Sequence, residues 1–260
     1  MANPHGTPIW YELMTADPDA SKAFYDLVIG WSVEAQPAGD MDYRMIATVG
    51  GDQVGGVMRL TDDMAANGAK STWLFYIGVD DVDASATKIQ AAGGALIVPP
   101  TDIPDVGRFA FATDPQGIPF YIMRGSSPDA SGAYDRNGMG KCNWNELITP
   151  DQRAANAFYA EVFGWTYPDK MEMPGDMGDY IFIDIAGQQI GATMQYPGEG
   201  PDPGWRFYFR TPDIDASAQK VADVGGTVMM GPHDVPGGGR IIVATDPHGV
   251  VFGAVGAGAA

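Results

Sequence analysis

The apolar positions fall into short runs separated by capped helices, and the order of these runs repeats along the chain. Ile9 to Thr15 is largely apolar and reads as a strand. Asp17-Pro18 follows, and an N-capping Asp with Pro at the first helical position starts a helix. Ala20, Ala23, Phe24, Leu27 and Val28 then fall on one helical face, and Gly30 ends the run. Extended segments are expected from Tyr43 to Val49 and from Val54 to Leu60, separated by Gly50-Gly51-Asp52. After the polar stretch 61–70 comes a strand from Thr72 to Val79, and a second capped helix from about Asp81 to Ala92 stops at Gly93-Gly94. Short strands run on to Met123, broken by the turn Asp114-Pro115-Gln116-Gly117. Strand, helix and three strands are thus expected twice before residue 125.

The whole series then returns. Trp10-Tyr11-Glu12-Leu13 reappears as Trp144-Asn145-Glu146-Leu147, 134 residues later. Ala23-Phe24-Tyr25 matches Ala157-Phe158-Tyr159, and Gly30-Trp31 matches Gly164-Trp165. Further on the offset is 132: Trp73 matches Trp205, Asp83-Ala84-Ser85-Ala86 matches Asp215-Ala216-Ser217-Ala218, and Ala112-Thr113-Asp114-Pro115 matches Ala244-Thr245-Asp246-Pro247. Matches in this order mean duplication. The small and polar residues between Gly125 and Met139 read as a linker. The expected division is a first domain at 1–124, a linker at 125–139 and a second domain at 140–260.

The Asp-capped helix carrying Ala-Phe-Tyr, its Gly-Trp exit and the late Gly-Arg…Asp-Pro-x-Gly segment resemble the vicinal oxygen chelate superfamily of glyoxalases, bleomycin-resistance proteins and extradiol dioxygenases. Those late segments are Gly107-Arg108…Asp114-Pro115-Gln116-Gly117 and Gly239-Arg240…Asp246-Pro247-His248-Gly249. The resemblance implies an α+β fold of four βαβββ modules. They would form two glyoxalase-like domains, each a curved mixed sheet around a cavity with helices outside.

In metal-using members of that superfamily, three strand positions hold a divalent cation. The resemblance maps them to Trp10, Leu74 and Tyr121 in the first copy, and to Trp144, Arg206 and Gly253 in the second. None supplies an imidazole or carboxylate, the donors such a cation needs. The three histidines lie elsewhere: His5 near the N-terminus, His233 in an expected Gly-Pro-His-Asp turn and His248 in the Asp-Pro-His-Gly turn. No metal and no cofactor are expected.

Strand alternation places Glu12 on the face of Trp10 and Met14, and Glu146 beside Trp144. A carboxylate facing a cavity needs a partner. The partner is either an Arg or Tyr of the fold, or a ligand for which the carboxylate is anchor or general base. Tyr76 and Tyr208 share faces with Leu74 and Arg206, and each offers a ring and a hydroxyl. Arg206, present only in the second copy, can bind an anionic group or neutralise Glu146. Arg108 and Arg240 read as structural ion pairs, and Trp31 and Trp165 as core. Gly237-Gly238-Gly239 follows no strand-to-helix pattern and reads as a turn, not a phosphate cradle.

Composition adds exclusions. At 260 residues, 45% hydrophobic, the chain is long enough for two cores. The net charge of −18 disfavours nucleic acid, and no apolar run is long enough for a membrane span. One cysteine, Cys142, excludes an intramolecular disulfide and fits a reducing cytoplasm, and no secretory signal is read at the N-terminus. The expected partner is a small organic molecule in a metal-free cavity, bound by a monomer built as a pseudo-dimer or by a homodimer. Glu12 and Glu146 are the candidate catalytic groups, with Trp10, Tyr76, Tyr121, Trp144, Arg206 and Tyr208 as ligand contacts. The alternatives are a metal-independent enzyme with Glu12 or Glu146 as base, and a metal-dependent lyase or dioxygenase with relocated ligands.

Overall fold

A computed structural model describes residues 3–37, 39, 41–175, 178–236 and 238–257. Gly237 of the expected glycine turn lies outside the described residues. The first module is β1 (Pro8–Thr15), α1 (Pro18–Val28), β2 (Ser32–Val33), β3 (Tyr43–Ala47) and β4 (Gln53–Arg59). A short helix α2 (Asp62–Ala66), capped by Thr61, occupies the polar stretch that the apolar pattern left without an element. The second module is β5 (Thr72–Gly78), α3 (Val82–Ala91), β6 (Ala95–Ile103), β7 (Gly107–Thr113) and β8 (Pro119–Gly125). The third is β9 (Cys142–Thr149), α4 (Gln152–Phe163), β10 (Lys170–Glu172), β11 (Asp179–Ile185) and β12 (Gln188–Gln195). The fourth is β13 (Gly204–Asp213), α5 (Ile214–Asp223), β14 (Thr227–Val235), β15 (Gly239–Thr245) and β16 (Val251–Ala257).

All four modules therefore have the βαβββ order. The strands form two eight-stranded mixed sheets, β2-β3-β4-β1-β5-β8-β7-β6 and β10-β11-β12-β9-β13-β16-β15-β14. Each copy builds one sheet. Within a module the first and last strands pair in parallel, as β1 does with β4 and β13 with β16. Such a pair needs a crossover, which the helix supplies.

Compact packing follows a different division from the repeat. One unit comprises residues up to Ile9, Leu74–Ser131 and Trp144–Trp205; the other comprises Trp10–Trp73, Gly132–Asn143 and Arg206–Ala260. Each unit thus combines a module from each copy. In the first, Trp205 Nε1 donates to Tyr159 Oη at 3.1 Å, and Tyr159 Oη meets Asp114 Oδ2 at 3.4 Å. In the second, Trp73 Nε1 donates to Tyr25 Oη at 2.9 Å, and Tyr25 Oη meets Asp246 Oδ2 at 3.4 Å. The recurring Phe-Tyr and Asp-Pro motifs are therefore two halves of one buried relay, joined across copies.

Two further bonds repeat that arrangement. Trp165 Nε1 donates to Gly6 O at 2.8 Å in the first unit, and Trp31 Nε1 to Gly140 O at 2.6 Å in the second. Both indoles are buried, as expected of core residues. The stretch 125–139 is pinned as well as polar: Ser131 N donates to Asn3 Oδ1 at 2.6 Å, and Ala133 is fully buried.

Helix α1 corrects the apolar pattern. Its buried residues are Pro18, Ser21, Phe24, Tyr25 and Val28, while Ala23 is exposed and Leu27 is 44% exposed. Ser21 turns inward because its hydroxyl donates to Thr15 Oγ1 at 3.0 Å, and Tyr25 because of its relay. Hydropathy ranks these residues below Leu, but burial follows a polar group that has partners. His233 lies on strand β14, paired with Ile241, and not in the expected turn.

Burial raises the carboxyls of Asp114 and Asp246 above their ordinary value, with backbone N–H bonds opposing the shift. As pH falls through that raised value, the folded chain takes up these protons before the unfolded chain does. The two groups therefore add stability on acidification down to the ordinary value of 3.8. Asp246→Asn is expected to show a smaller gain than the parent in urea titrations run from pH 7 towards pH 4. Equal pH slopes would remove Asp246 as a source.

Candidate ligand-binding site

Each of the two inward-facing glutamates has a tyrosine and a tryptophan of its own module. On β9, Glu146 Oε1 accepts from Tyr180 Oη at 2.8 Å, and Trp144 Nε1 donates to Tyr180 Oη at 2.7 Å. On β1, Trp10 Nε1 donates to Tyr43 Oη at 2.8 Å, and the Tyr43 hydroxyl is hydrogen-bonded to Glu12. Glu12 is 1% exposed and Glu146 6%. A tyrosine of the fold is thus one partner of each carboxylate.

Strand register explains how the rings reach. Glu12 lies opposite Gly56 on β4, and Gly56 lies opposite Met45 on β3, two residues from Tyr43. The Tyr43 ring crosses the glycine: a Cβ at Gly56 would stand 2.2 Å from its Cζ and Oη. In the second copy Ala192 takes this place, opposite both Glu146 and Phe182. There Phe182 meets Trp144 and Tyr180 edge-on, at 6.0 and 5.8 Å.

Burial, and then the charge of Glu12, push the Tyr43 phenol well above its usual value. The phenol keeps its proton and remains a donor to the carboxylate. An ionised carboxylate offers roughly four lone-pair sites. A carboxylate of this kind can accept from an N–H or O–H, or take up a proton.

Tyr76 and Tyr121 are stacked, with centroids 4.2 Å apart and planes at 11°, and Phe111 stacks on Tyr121 at 4.4 Å. In the second copy Tyr208 lies over Gly253, where a Cβ would stand 2.3 Å from its Cδ1. Arg206 is part-exposed on β13, two residues before Tyr208 and hence on the same face. Arg108 pairs with Asp83 and Asp102, and Arg240 with Asp215 and Asp234, so these arginines are engaged in ion pairs. His248 is exposed in its turn.

Tyr43 and Tyr180 were not among the sequence-derived site residues. Their signal is the dipeptide Asp42-Tyr43, which returns as Asp179-Tyr180 at an offset of 137. The loop before it differs in length between the copies, so the match lies off the main register.

The residues at the family's metal positions lack suitable donors. Trp10 and Trp144 give indole, Leu74 and Gly253 give no donor, Tyr121 is a stacked phenol and Arg206 is a cation. These residues do not fit a divalent metal. Among the described residues, no group of three or more His, Cys, Asp or Glu is placed to hold one.

The chain matches the model of the Glyoxalase/Bleomycin resistance protein/Dioxygenase superfamily twice, at residues 8–122 and 141–253. It is 36% identical over 248 residues to "Putative glyoxylase CFP32" of Mycobacterium tuberculosis, covering 95% of this chain and 93% of that one. It is 29% identical over 265 residues to the anthracycline biosynthesis protein DnrV of Streptomyces peucetius, covering 96% and 93%. Among solved structures, it resembles the Mn(II)-bound glyoxalase from Novosphingobium aromaticivorans with a TM-score of 0.65 at 20% identity, covering 98% of this chain and 83% of that one. It resembles the 2,3-dioxygenase LapB from Pseudomonas sp. KL28 with a TM-score of 0.66 at 14% identity, covering 100% and 94%. At such identities the structural likeness speaks for the fold alone. Two matched repeats covering most of the sequence establish the family: the chain is a tandem member of the glyoxalase/bleomycin resistance/dioxygenase superfamily.

Proposed function

We propose that this chain binds a small organic molecule without a divalent metal, using the Trp–Tyr–Glu faces as polar anchors set in aromatic surface. The observation that carries this reading is the pairing of two changes. Imidazole and carboxylate are missing from the family's metal positions, and a buried carboxylate with a dedicated tyrosine donor stands beside one of those positions in both copies. A carboxylate so held can orient a ligand N–H or O–H, while the neighbouring indole supplies flat apolar area. The name of DnrV makes planar aromatic compounds the first class to screen.

The test is metal content by mass spectrometry on the purified chain, followed by thermal shift against a panel of aromatic alcohols, amines and acids. The expected result is substoichiometric metal and a raised midpoint with at least one compound. Glu12→Gln and Glu146→Gln should weaken a ligand that donates to them by about 10- to 100-fold, the value of a hydrogen bond to a charged group. Tight recovery of one metal per copy would overturn the reading and bring forward a metal-dependent lyase or dioxygenase.

A second reading, a metal-independent enzyme with Glu12 or Glu146 as base, is favoured by the tyrosine that stays protonated beside Glu12. Deuterium uptake from solvent into a bound ligand, abolished in the glutamine variants, would distinguish catalysis from binding. The single cysteine and the charge of −18 fit a cytoplasmic protein that avoids nucleic acid. Among the described residues no helix is long and apolar enough to cross a membrane.

A further inference from the structure

The second copy has a strand that the first lacks. The offset between the copies is 134 at Trp31 and Trp165 but 137 at Tyr43 and Tyr180, so three extra residues lie between Trp165 and Tyr180. In the first copy the short edge strand β2 pairs Ser32 with Ala47 and Val33 with Ile46, and its register ends short of Tyr43. The counterpart in the second is a single bridge, Thr166 with Asp184. The longer connection then forms β10, which pairs antiparallel with β11 and sets Met171 directly opposite Tyr180. Residues directly opposite in such a pair project from the same face of the sheet. The Tyr180 hydroxyl meets Trp144 and Glu146 on that face, so Met171 stands on it as well. Met171 is 37% exposed at the sheet edge, and Trp144 and Tyr180 are part-exposed.

Resting on the binding reading above, we infer that Met171 is a further ligand-contacting residue of the second copy, and that peroxide oxidation of its thioether switches binding off there. An unbranched thioether adapts to irregular apolar surface and is attracted to aromatic ring edges. Cross-strand pairing sets it next to Tyr180, so it extends the apolar border of the Trp–Tyr–Glu face towards the open edge of the sheet. Its exposure gives an oxidant access. Hydrogen peroxide transfers one oxygen to the sulfur lone pair: the O–O bond breaks, an S–O bond forms and water leaves. The resulting sulfoxide is polar where an apolar ligand needs contact. Met194, opposite Ile148 on the same face, is less exposed.

The test uses the full chain and 1-naphthol as the probe, a flat apolar bicycle with one O–H. Brief hydrogen peroxide treatment is followed by peptide mass spectrometry, with the exposed Met41, Met139, Met229 and Met230 of the other compact unit as comparators. Met171 is expected to oxidise with them, ahead of Met194. Isothermal titration should then show one fewer naphthol bound per chain than before treatment, through at least about tenfold weaker binding at the second copy. Met171→Leu keeps an apolar side chain that cannot take the oxygen, so its naphthol binding should be the same before and after treatment. Met171→Gln, polar without oxidation, should lack the same site in untreated protein, and it decides if peroxide lowers the thermal midpoint. A Met171 that stays reduced while the comparators oxidise, unchanged naphthol binding by the Met171 sulfoxide, loss of a site on treating Met171→Leu, or no naphthol binding by the untreated parent would overturn the inference and leave the binding reading standing. No binding of any compound in the aromatic panel would instead remove the binding reading, and this inference with it.

Discussion

Gly191→Ala is expected to cost about 3 kcal/mol or more, because a single methyl group would collide with backbone. Gly191 lies opposite Asn145 where β12 runs parallel to β9. A Cβ there would stand 1.9 Å from the Asn145 carbonyl oxygen and 2.8 Å from its carbon. Side-chain overpacking is relieved by rotamer shifts, whereas here one strand must move from the other. The next pair along is Ala192 with Glu146, so the movement reaches the anchor carboxylate as well. Gly204→Ala is the control, since its added Cβ meets nothing within 4 Å. Urea unfolding of both variants against the parent measures the difference. Equal midpoints for the two would show that the close approach of β12 and β9 carries no energetic weight. Gly55→Ala should behave like Gly191→Ala, with its Cβ 2.2 Å from the Tyr11 carbonyl oxygen.

Trp165→Ala is expected to remove about 3–5 kcal/mol, the range for deleting a large buried aromatic. Trp165 is 1% exposed and stacks on Tyr159 at 4.9 Å with planes at 11°. Phe163 and Trp205 lie at 5.8 and 5.9 Å, so the lost ring leaves a cavity among other rigid rings, which collapse poorly. The Gly6 carbonyl also loses its indole donor. Gly6 has φ +85°, and a Cβ there would stand 2.8 Å from the Phe163 carbonyl oxygen, so the segment before β1 is fitted to this site. Trp165→Phe keeps most of the volume and loses the hydrogen bond, and should cost about 1–3 kcal/mol. Chemical denaturation of the three proteins orders them. An alanine variant no worse than the phenylalanine variant would mean that the carbonyl bond, and not the packed ring, holds this contact.

Both effects arise where two stretches distant in sequence meet at backbone distance. Glycine at 55 and 191 is plain in the sequence, but glycine in a strand has several readings. Register alone shows that these two stand against a carbonyl. The recurring Trp31 and Trp165 read as core from sequence, and they are core. That each indole reaches a glycine of the other copy was not legible, because hydropathy carries no address. The same holds for the glutamates. Alternation put Glu12 and Glu146 on an inward face and implied a partner, and favoured an Arg or Tyr of the fold over a ligand without saying which residue. Tyr43 and Tyr180 do not stand out in the sequence, because the repeat is out of register just before them. Only the pairing of β3 with β4 and of β11 with β12 brings their hydroxyls to the carboxylates. In α1, Leu27 looked like core and is exposed, whereas Ser21 and Tyr25 are buried with hydrogen-bond partners.

Taken alone, the sequence determined the duplication, the four βαβββ modules, the superfamily and the lack of suitable metal donors at the family's positions. These are local properties: period, caps, turn residues and the identity of a side chain at a counted place. Tertiary structure decided which module of one copy packs in a compact unit with which module of the other. It also decided that the repeated Tyr and Asp-Pro motifs close a buried relay, and that tyrosines hold the inward carboxylates. The reason is that a buried polar group is stable only when a partner stands at hydrogen-bond distance, and partners 34 residues apart, as Glu146 and Tyr180 are, or 221 apart, as Tyr25 and Asp246 are, are chosen by packing, not by pattern.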